Sequence, residues 1–210
     1  MFILNNCDYP SCRKAAISSF DENGELTNEQ GYCLEHCKNI EETQSQIRQY
    51  VKTHDVIVGI CASEIHFENM DLSNKSFFGC TFQHCTFTNI QSENLRTRLT
   101  FFDYAIFSDC NLIESKIMFT SFGGCIFSHA LITNSTLIQD NFCGMSAYQS
   151  SFDDSDLYNS RFIKTKLMNT SFRNCNLKRT NFMEMEQENV SFKMSNTREA
   201  IFSKNEEINE

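Results

Sequence analysis

The feature that most constrains this chain is a period of five residues, which suits neither an α-helix nor a flat strand. From Phe67 to Phe202, every fifth residue gives 28 positions, and 23 of them are Phe, Leu or Ile. The exceptions are Ser92, Thr97, Ala147, Gln187 and Thr197. A second series lies two residues before each, from Ile65 to Ala200, and 20 of its 28 members are Ala, Cys, Ser, Thr or Val. The other three positions of each pentad are mostly polar, as in Ser155-Asp156-Leu157-Tyr158-Asn159. Fixed-period self-similarity is the signature of a solenoid. One large and one small inward residue per pentad describe a short extended segment followed by a corner.

The size of one turn can be read from the large series. Steps of 20 collect Phe82, Phe102, Phe122, Phe142, Phe162, Phe182 and Phe202 into one column, and Leu137, Leu157 and Leu177 into another. Four pentads per coil account for both. Stacked strands lie about 4.8 Å apart, so about seven coils make a rod roughly 34 Å long. Rings at that separation can pack offset on one another. With 20 Phe and no Trp, one amino acid fills most of the core.

Residues 64–204 resemble the pentapeptide repeat proteins, whose pattern is a small residue, any residue, a large Phe or Leu, then two more. The resemblance covers about two thirds of the chain and implies a mainly β fold, a right-handed quadrilateral β-helix. Departures are local. Ser92 and Thr97 fall together in Ile90–Leu99, which is either a regular coil or a loop. Lys75 and Asp140 occupy small inward positions, where an unpaired charge is costly, so hydrogen-bonded turns or local exposure are expected there.

The chain has 11 Cys. Cys80, Cys85, Cys110, Cys125 and Cys175 all fall in the small inward series, where Cys serves as a small hydrophobe. No two of them are 20 residues apart, so free thiols in a reducing, cytoplasmic compartment are expected. Cys7-x4-Cys12 and Cys33-x2-His36 are different: two close-spaced pairs supply the four ligands of a tetrahedral zinc site. Asp8-Tyr9-Pro10-Ser11 reads as a turn. Cys37 shares a face with Cys33, so spacing alone leaves it as a rival fourth ligand. The segment also resembles a short zinc-binding module with Cys-x4-Cys and Gly-Tyr-Cys-x2-His found ahead of some pentapeptide repeats; here Gly31-Tyr32-Cys33-Leu34-Glu35-His36 carries that match. Zn2+ is expected in a structural role, with Cys7, Cys12, Cys33 and His36 as ligands.

The chain thus divides into a zinc-binding module (1–38), a capping helix and linker (39–63), the repeat (64–204) and an acidic tail (205–210). Ile40, Ile47, Tyr50 and Val51 recur at helical spacing within Asn39–His54, an amphipathic helix that suits the cap a solenoid needs. The formal charge of the chain is -9, and residues 1–40 hold only Arg13, Lys14 and Lys38 as bases. Direct nucleic-acid binding, which needs clustered cations, is not expected. No apolar run reaches membrane-span length, and Met1–Asn6 is too short for a secretory leader. No Gly-x-Ser-x-Gly, Walker or dinucleotide fingerprint occurs, and His54, His66, His84 and His129 sit in no nucleophile arrangement. Asp153, Asp154 and Asp156 read as a solvated corner.

Two functions follow. The first is a non-catalytic rigid scaffold binding another protein, with a zinc-stapled head. The second is mimicry of duplex DNA, by which some pentapeptide repeat proteins protect type II topoisomerases. Residues 64–204 hold 15 acids and 13 bases, nearly neutral where a mimic should be acidic.

Overall fold

A computed structural model describes residues 6–27 and 31–203. The chain is a parallel β-solenoid of about seven turns with one α-helix at its N-terminal end. Before the solenoid come a short antiparallel hairpin, β1 (Ser19–Phe20) and β2 (Leu26–Thr27), and helix α1 (Ile40–Thr53). A seven-stranded parallel sheet stacks His66–Glu68, Thr86–Thr88, Ile106–Ser108, Ile126–Ser128, Ser146–Tyr148, Lys166–Met168 and Glu186–Glu188. A five-stranded parallel sheet runs from β3 (Val56–Val58) to Thr136–Ile138. Two further columns are held by isolated bridges and short strands, such as Thr81 to Phe101 and Gln91–Glu93 to Asn111–Ile113. Partners are always 20 residues apart, as Phe67 with Phe87 and Leu167 with Gln187.

The corner explains the period. Every fifth residue from Gly59 to Met194 has positive φ, two places after the large inward residue. L-residues resist that conformation, and Asn and Gly resist it least. Asn therefore fills nine of these corners, including Asn69, Asn89 and Asn169, and Gly fills four. The Asn side chains gain a second use, because they bond coil to coil: Asn89 Nδ2 donates to Asn69 Oδ1 at 2.7 Å and Asn189 Nδ2 to Asn169 Oδ1 at 2.7 Å.

Inside, the column read from the sequence is a continuous ladder. Phe82, Phe102, Phe122, Phe142, Phe162, Phe182 and Phe202 stack with centroids 4.6 to 5.2 Å apart. A second ladder, Phe67, Phe87, Phe107 and Phe127, ends at Ala147, and a third, Phe152, Phe172 and Phe192, begins on the adjoining face. Phe127 meets Phe152 edge-on at 6.3 Å, so Ala147 makes room where the bulk changes face. The small series has its own logic. Its thiols and hydroxyls donate to a carbonyl of the other inward column, 23 positions earlier: Cys85 Sγ to Ala62 O at 2.9 Å, Cys125 Sγ to Phe102 O at 3.0 Å, Ser160 Oγ to Leu137 O at 2.7 Å. Residues small enough to fit and able to donate are favoured there.

Several expectations change in detail. Ile90–Leu99 is a regular coil: Gln91–Glu93 and Arg96–Arg98 are strands, and Ser92 and Thr97 are buried. Thr97 Oγ1 is satisfied by Thr120 Oγ1 at 2.9 Å, and a small apolar void of about 20 Å³ lies beside it. The coils begin earlier than residue 64, since β3 pairs in register with Ser76–Phe78; residues 56–63, expected as linker, form part of the first coil. Residues 205–210, the expected acidic tail, lie outside the described residues.

Helix α1 covers the first coil with Ile47 and Val51, both fully buried, while Ile40 is exposed. Asn39 caps its N-terminus by accepting from Glu42 N. Its C-terminus is held by Lys75, whose Nζ donates to Lys52 O at 3.1 Å and His54 O at 2.9 Å and lies 3.7 Å from Asp55. The buried charge thus sits at the negative end of the helix dipole. Asp140 has no such counter-ion. Its Oδ1 accepts from Thr120 N at 2.7 Å, but Oδ2 is buried without a partner. Burial pushes its carboxyl well above the usual value, with the Thr120 N–H opposing.

Two predictions follow from the core. Phe142→Ala, in mid-ladder and fully buried, is expected to cost about 3–5 kcal/mol in urea melts; a loss under about 1 kcal/mol would contradict its packing. The fold holds the Asp140 proton more tightly than the unfolded chain does, so its stability contribution is greatest below the unfolded carboxyl pKa. That contribution declines as pH rises towards the folded value. Asp140→Ser, the residue type at Ser160 one coil on, is expected to gain about 1–3 kcal/mol at neutral pH and to lose most of that gain near pH 3. Melts of both proteins across pH test it; equal slopes would refute it.

Candidate metal centre

Two turns bring four side chains together. The first runs from Cys7 to Cys12 and closes when Cys12 N donates to Tyr9 O at 3.0 Å, with Ser11 at φ 68°. The second runs from Cys33 to Cys37, where His36 N and Cys37 N both donate to Cys33 O at 3.0 Å. Backbone bonds tie the two together: Asp8 N donates to Gly31 O at 3.0 Å and Ile17 N to Tyr32 O at 3.0 Å. The hairpin β1–β2 spans the sequence between them. It turns on Asp21, whose Oδ1 accepts from Asn23 N and Glu25 N, and on Gly24 at φ 80°. The Asn23-Gly24 pair was a readable turn signal.

The ligand atoms of Cys7, Cys12, Cys33 and His36 all lie within 4.8 Å of one another. Cys7 Sγ is 3.5 Å and Cys33 Sγ 3.3 Å from His36 Nδ1, and Cys12 Sγ is 3.9 Å from Cys33 Sγ. A tetrahedron with metal–sulfur bonds of about 2.3 Å and metal–nitrogen bonds of about 2.0–2.1 Å has edges of roughly 3.8 Å (S to S) and 3.6 Å (S to N). Those three separations lie close to these edges, and the remaining ones stay within 4.8 Å. The rival, Cys37, turns away and donates its thiol to Leu34 O at 3.1 Å. His36 presents Nδ1 to the cluster, and the Tyr9 ring stacks on the imidazole with centroids 3.9 Å apart, fixing its plane.

The electrostatics favour anionic sulfur at Cys7 and oppose it at Cys33. Tyr9 N points at Cys7 Sγ, 3.4 Å away. Burial raises the Cys7 thiol, but hydrogen bonds from the backbone at Cys33 and Tyr9 and from the side chains of His36 and Cys33 outweigh it and bring the group down to about 6. Burial pushes Cys33 up to about 11. Behind the cluster, Lys14 bridges Glu35 and Glu64 at 3.1 Å each, joining the second turn to the solenoid. Ile17 and Leu34 pack into the same core as Ile47, Val51 and Ile57. Ser18 N donates to Cys61 O at 3.0 Å, and Cys61 N to Ser18 Oγ at 2.8 Å.

The remaining candidates do not converge. Asp153 accepts from Arg173 N at 2.7 Å, Asp154 from Asn174 Nδ2 at 2.7 Å and Asp156 from Asn176 Nδ2 at 2.8 Å, each bound to the coil below. His84 stacks on Tyr104, and His129 meets Gln149 Oε1 at 2.7 Å. The repeat thiols are buried, and burial raises Cys80 and Cys110 to about 11 and Cys85 and Cys175 to about 12. Among the described residues, no helix is long and apolar enough to cross a membrane.

The five-residue periodicity, the 20-residue coil and the corner at every pentad coincide with a sequence match: residues 141–174 and 150–184 fit the family model "Pentapeptide repeats". Residues 141–184 carry pentapeptide repeats. No curated protein matches it. Among solved structures it is similar to a trypsin-treated form of QnrB1, a plasmid-mediated fluoroquinolone resistance protein, at 17% identity and a TM-score of 0.44, covering 71% of this chain and 89% of that one. It is similar to HetL, a pentapeptide repeat protein involved in heterocyst differentiation regulation from the cyanobacterium Nostoc sp., at 12% identity and a TM-score of 0.29, covering 76% and 96%. Rfr23, a pentapeptide repeat protein from the cyanobacterium Cyanothece, gives 12% identity and a TM-score of 0.36 over 70% and 99%. At these identities nothing about what those proteins bind is carried over.

Proposed function

We propose that the chain is a non-catalytic rigid scaffold for protein–protein interaction, whose N-terminal head is stapled by one structural zinc ion. The four-atom cluster of Cys7, Cys12, Cys33 and His36 carries the zinc half of the reading. Three of its separations lie close to the edges of a zinc tetrahedron and all fall within 4.8 Å, and four protein ligands would leave no open position for a water nucleophile. His36 would bind through Nδ1 and keep its proton on Nε2. The ion would hold the Cys7–Cys12 turn against the Cys33–His36 turn, where buried apolar side chains are few.

The scaffold half rests on the filled core. Stacked rings and aliphatic side chains occupy the interior, so the rod offers a partner its outer surface. Mimicry of DNA for a type II topoisomerase is the weaker reading, since residues 64–204 are nearly neutral, with 15 acids and 13 bases, and the later coils pair charges: Lys164 meets Glu184 at 3.6 Å, Lys166 meets Glu186 at 3.2 Å and Lys178 meets Glu199 at 3.4 Å. Free buried thiols go with a reducing, cytoplasmic setting.

Protein purified without chelator is expected to contain one zinc per chain by metal analysis; clearly less than one would overturn the site. A strong chelator is expected to disorder the head and leave the β-solenoid circular dichroism largely intact, because the repeat has its own core. His36→Ala should lose the metal and Cys37→Ala keep it; the reverse would redraw the set as four cysteines. For the scaffold, affinity purification on the intact chain should return a defined protein partner. Cys33→Ser then reports whether head or rod holds it. Turnover of a small molecule by the purified chain would refute the reading.

A further inference from the structure

On the outer face of the coils between residues 96 and 119, two unfavourable features meet. Arg96 and Lys116 are direct partners on adjacent parallel strands, with Arg98 two residues from Arg96. All three are exposed, and among the described residues none forms an ion pair, whereas Lys164, Lys166 and Lys178 each face a glutamate. Like charges set opposite one another on neighbouring strands are destabilising. The acids of the preceding corner, Glu93 and Glu114, pair with none of them.

The corner beside these cations is also anomalous. At a corner that Asn and Gly accept most readily, this stretch places Leu99 at φ 53° and, one coil on, Phe119 at φ 53°. Bulky side chains pay for that conformation, yet neither is buried for it: Leu99 is 42% exposed, Phe119 41%, and Phe101, just past the corner, 42%. Arg98 reaches over the Phe119 ring, 5.8 Å from its centroid. An unneutralised cationic row thus lies beside a strained, solvated apolar corner, and the exposed Arg98–Phe119 cation–π contact is what joins the two.

We propose that this surface is the docking site of an acidic protein segment that carries a large apolar anchor: its carboxylates answer Arg96, Arg98 and Lys116, and its anchor covers Leu99, Phe101 and Phe119. The inference rests on the scaffold reading and names the surface and the partner's chemistry. Charge complementarity selects the occupant. A second copy docked on the same patch would set cations against cations. A nucleic-acid strand needs a longer cationic track and would meet Glu93 and Glu114.

The test is selection of a phage-displayed random peptide library on the full-length protein, followed by affinity measurement of the enriched peptides. Enrichment of net-negative peptides with an aromatic or large aliphatic residue is expected. Arg96→Glu combined with Lys116→Glu should weaken the selected peptide at least about tenfold, since truncating charge complementarity acts at this scale. Phe119→Asn should weaken it about fivefold or more and raise the melting temperature, because Asn accepts the corner more readily. A ring present only for stability would lower the melting temperature instead, and that result overturns the proposal. So does a library that enriches nothing, or peptides without acidic bias, or tighter binding of a single-stranded oligonucleotide than of any peptide. Peptides that bind but ignore both variants overturn this site and leave the scaffold reading standing.

Discussion

The structure depends on a backbone that turns through the left-handed region once in every five residues. That corner fixes the pentad, because only five residues separate one turn from the next. It fixes the coil, because four corners return the chain to its start 20 residues on. Everything else is stacked on this geometry: rings on rings, thiols under carbonyls, asparagines on asparagines. The conformation is locally unfavourable for an L-residue, so it persists only because each coil is held by neighbours above and below. Asn and Gly reduce the cost at many corners, but Leu99, Tyr104, Phe119 and Met194 hold the same angle without that help.

A solenoid built this way has no cost-free ends. The first coil exposes Ile57, Ile60 and Ala62 unless something covers them, and α1 with Ile17 and Leu34 does so. Lys75 shows how closely the two parts are fitted. A lysine placed in a small inward position would be ruinous in mid-rod. In this coil it finds the carbonyls of Lys52 and His54, the acceptors a helix end leaves over. Asp140, deep in the rod, has no helix end to meet and keeps one oxygen unpartnered. Two charges in equivalent positions thus differ in consequence because of distance from the cap.

The large and small columns were legible because each residue's environment recurs every 20 positions, so one row of Phe reports on all coils. The cluster of Cys7, Cys12, Cys33 and His36 was legible because two close-spaced pairs are the pattern a metal site uses. What escaped the reading was long-range or backbone in character. Lys75 reaches a helix 21 residues back, a contact no local pattern encodes. The start of the first coil was hidden because Ile57 and Ala62 belong to the period, but Val56 and Val58 around Ile57 face outward and are exposed, which masks the polar alternation. Ser92 and Thr97 suggested a break, yet the coil continues through them, since hydrogen bonding across coils holds the backbone when a large side chain is missing.

The head follows a different physics from the rod. The rod's order comes from repetition: losing one side chain leaves many identical contacts in place. The Cys7–His36 cluster has no repetition, few apolar contacts of its own, and a thiol at Cys7 drawn down to about 6 by donors aimed at its sulfur. Donors gathered around the Cys7 sulfur favour its anionic form, and the four atoms within 4.8 Å of one another are compatible with a common metal ion. In this chain a covalently sparse segment and a densely stacked one are joined by Lys14, which touches Glu35 on one side and Glu64 on the other. Rigidity in the rod therefore fixes where the head sits, while the head gathers Cys7, Cys12, Cys33 and His36 with few apolar contacts around them.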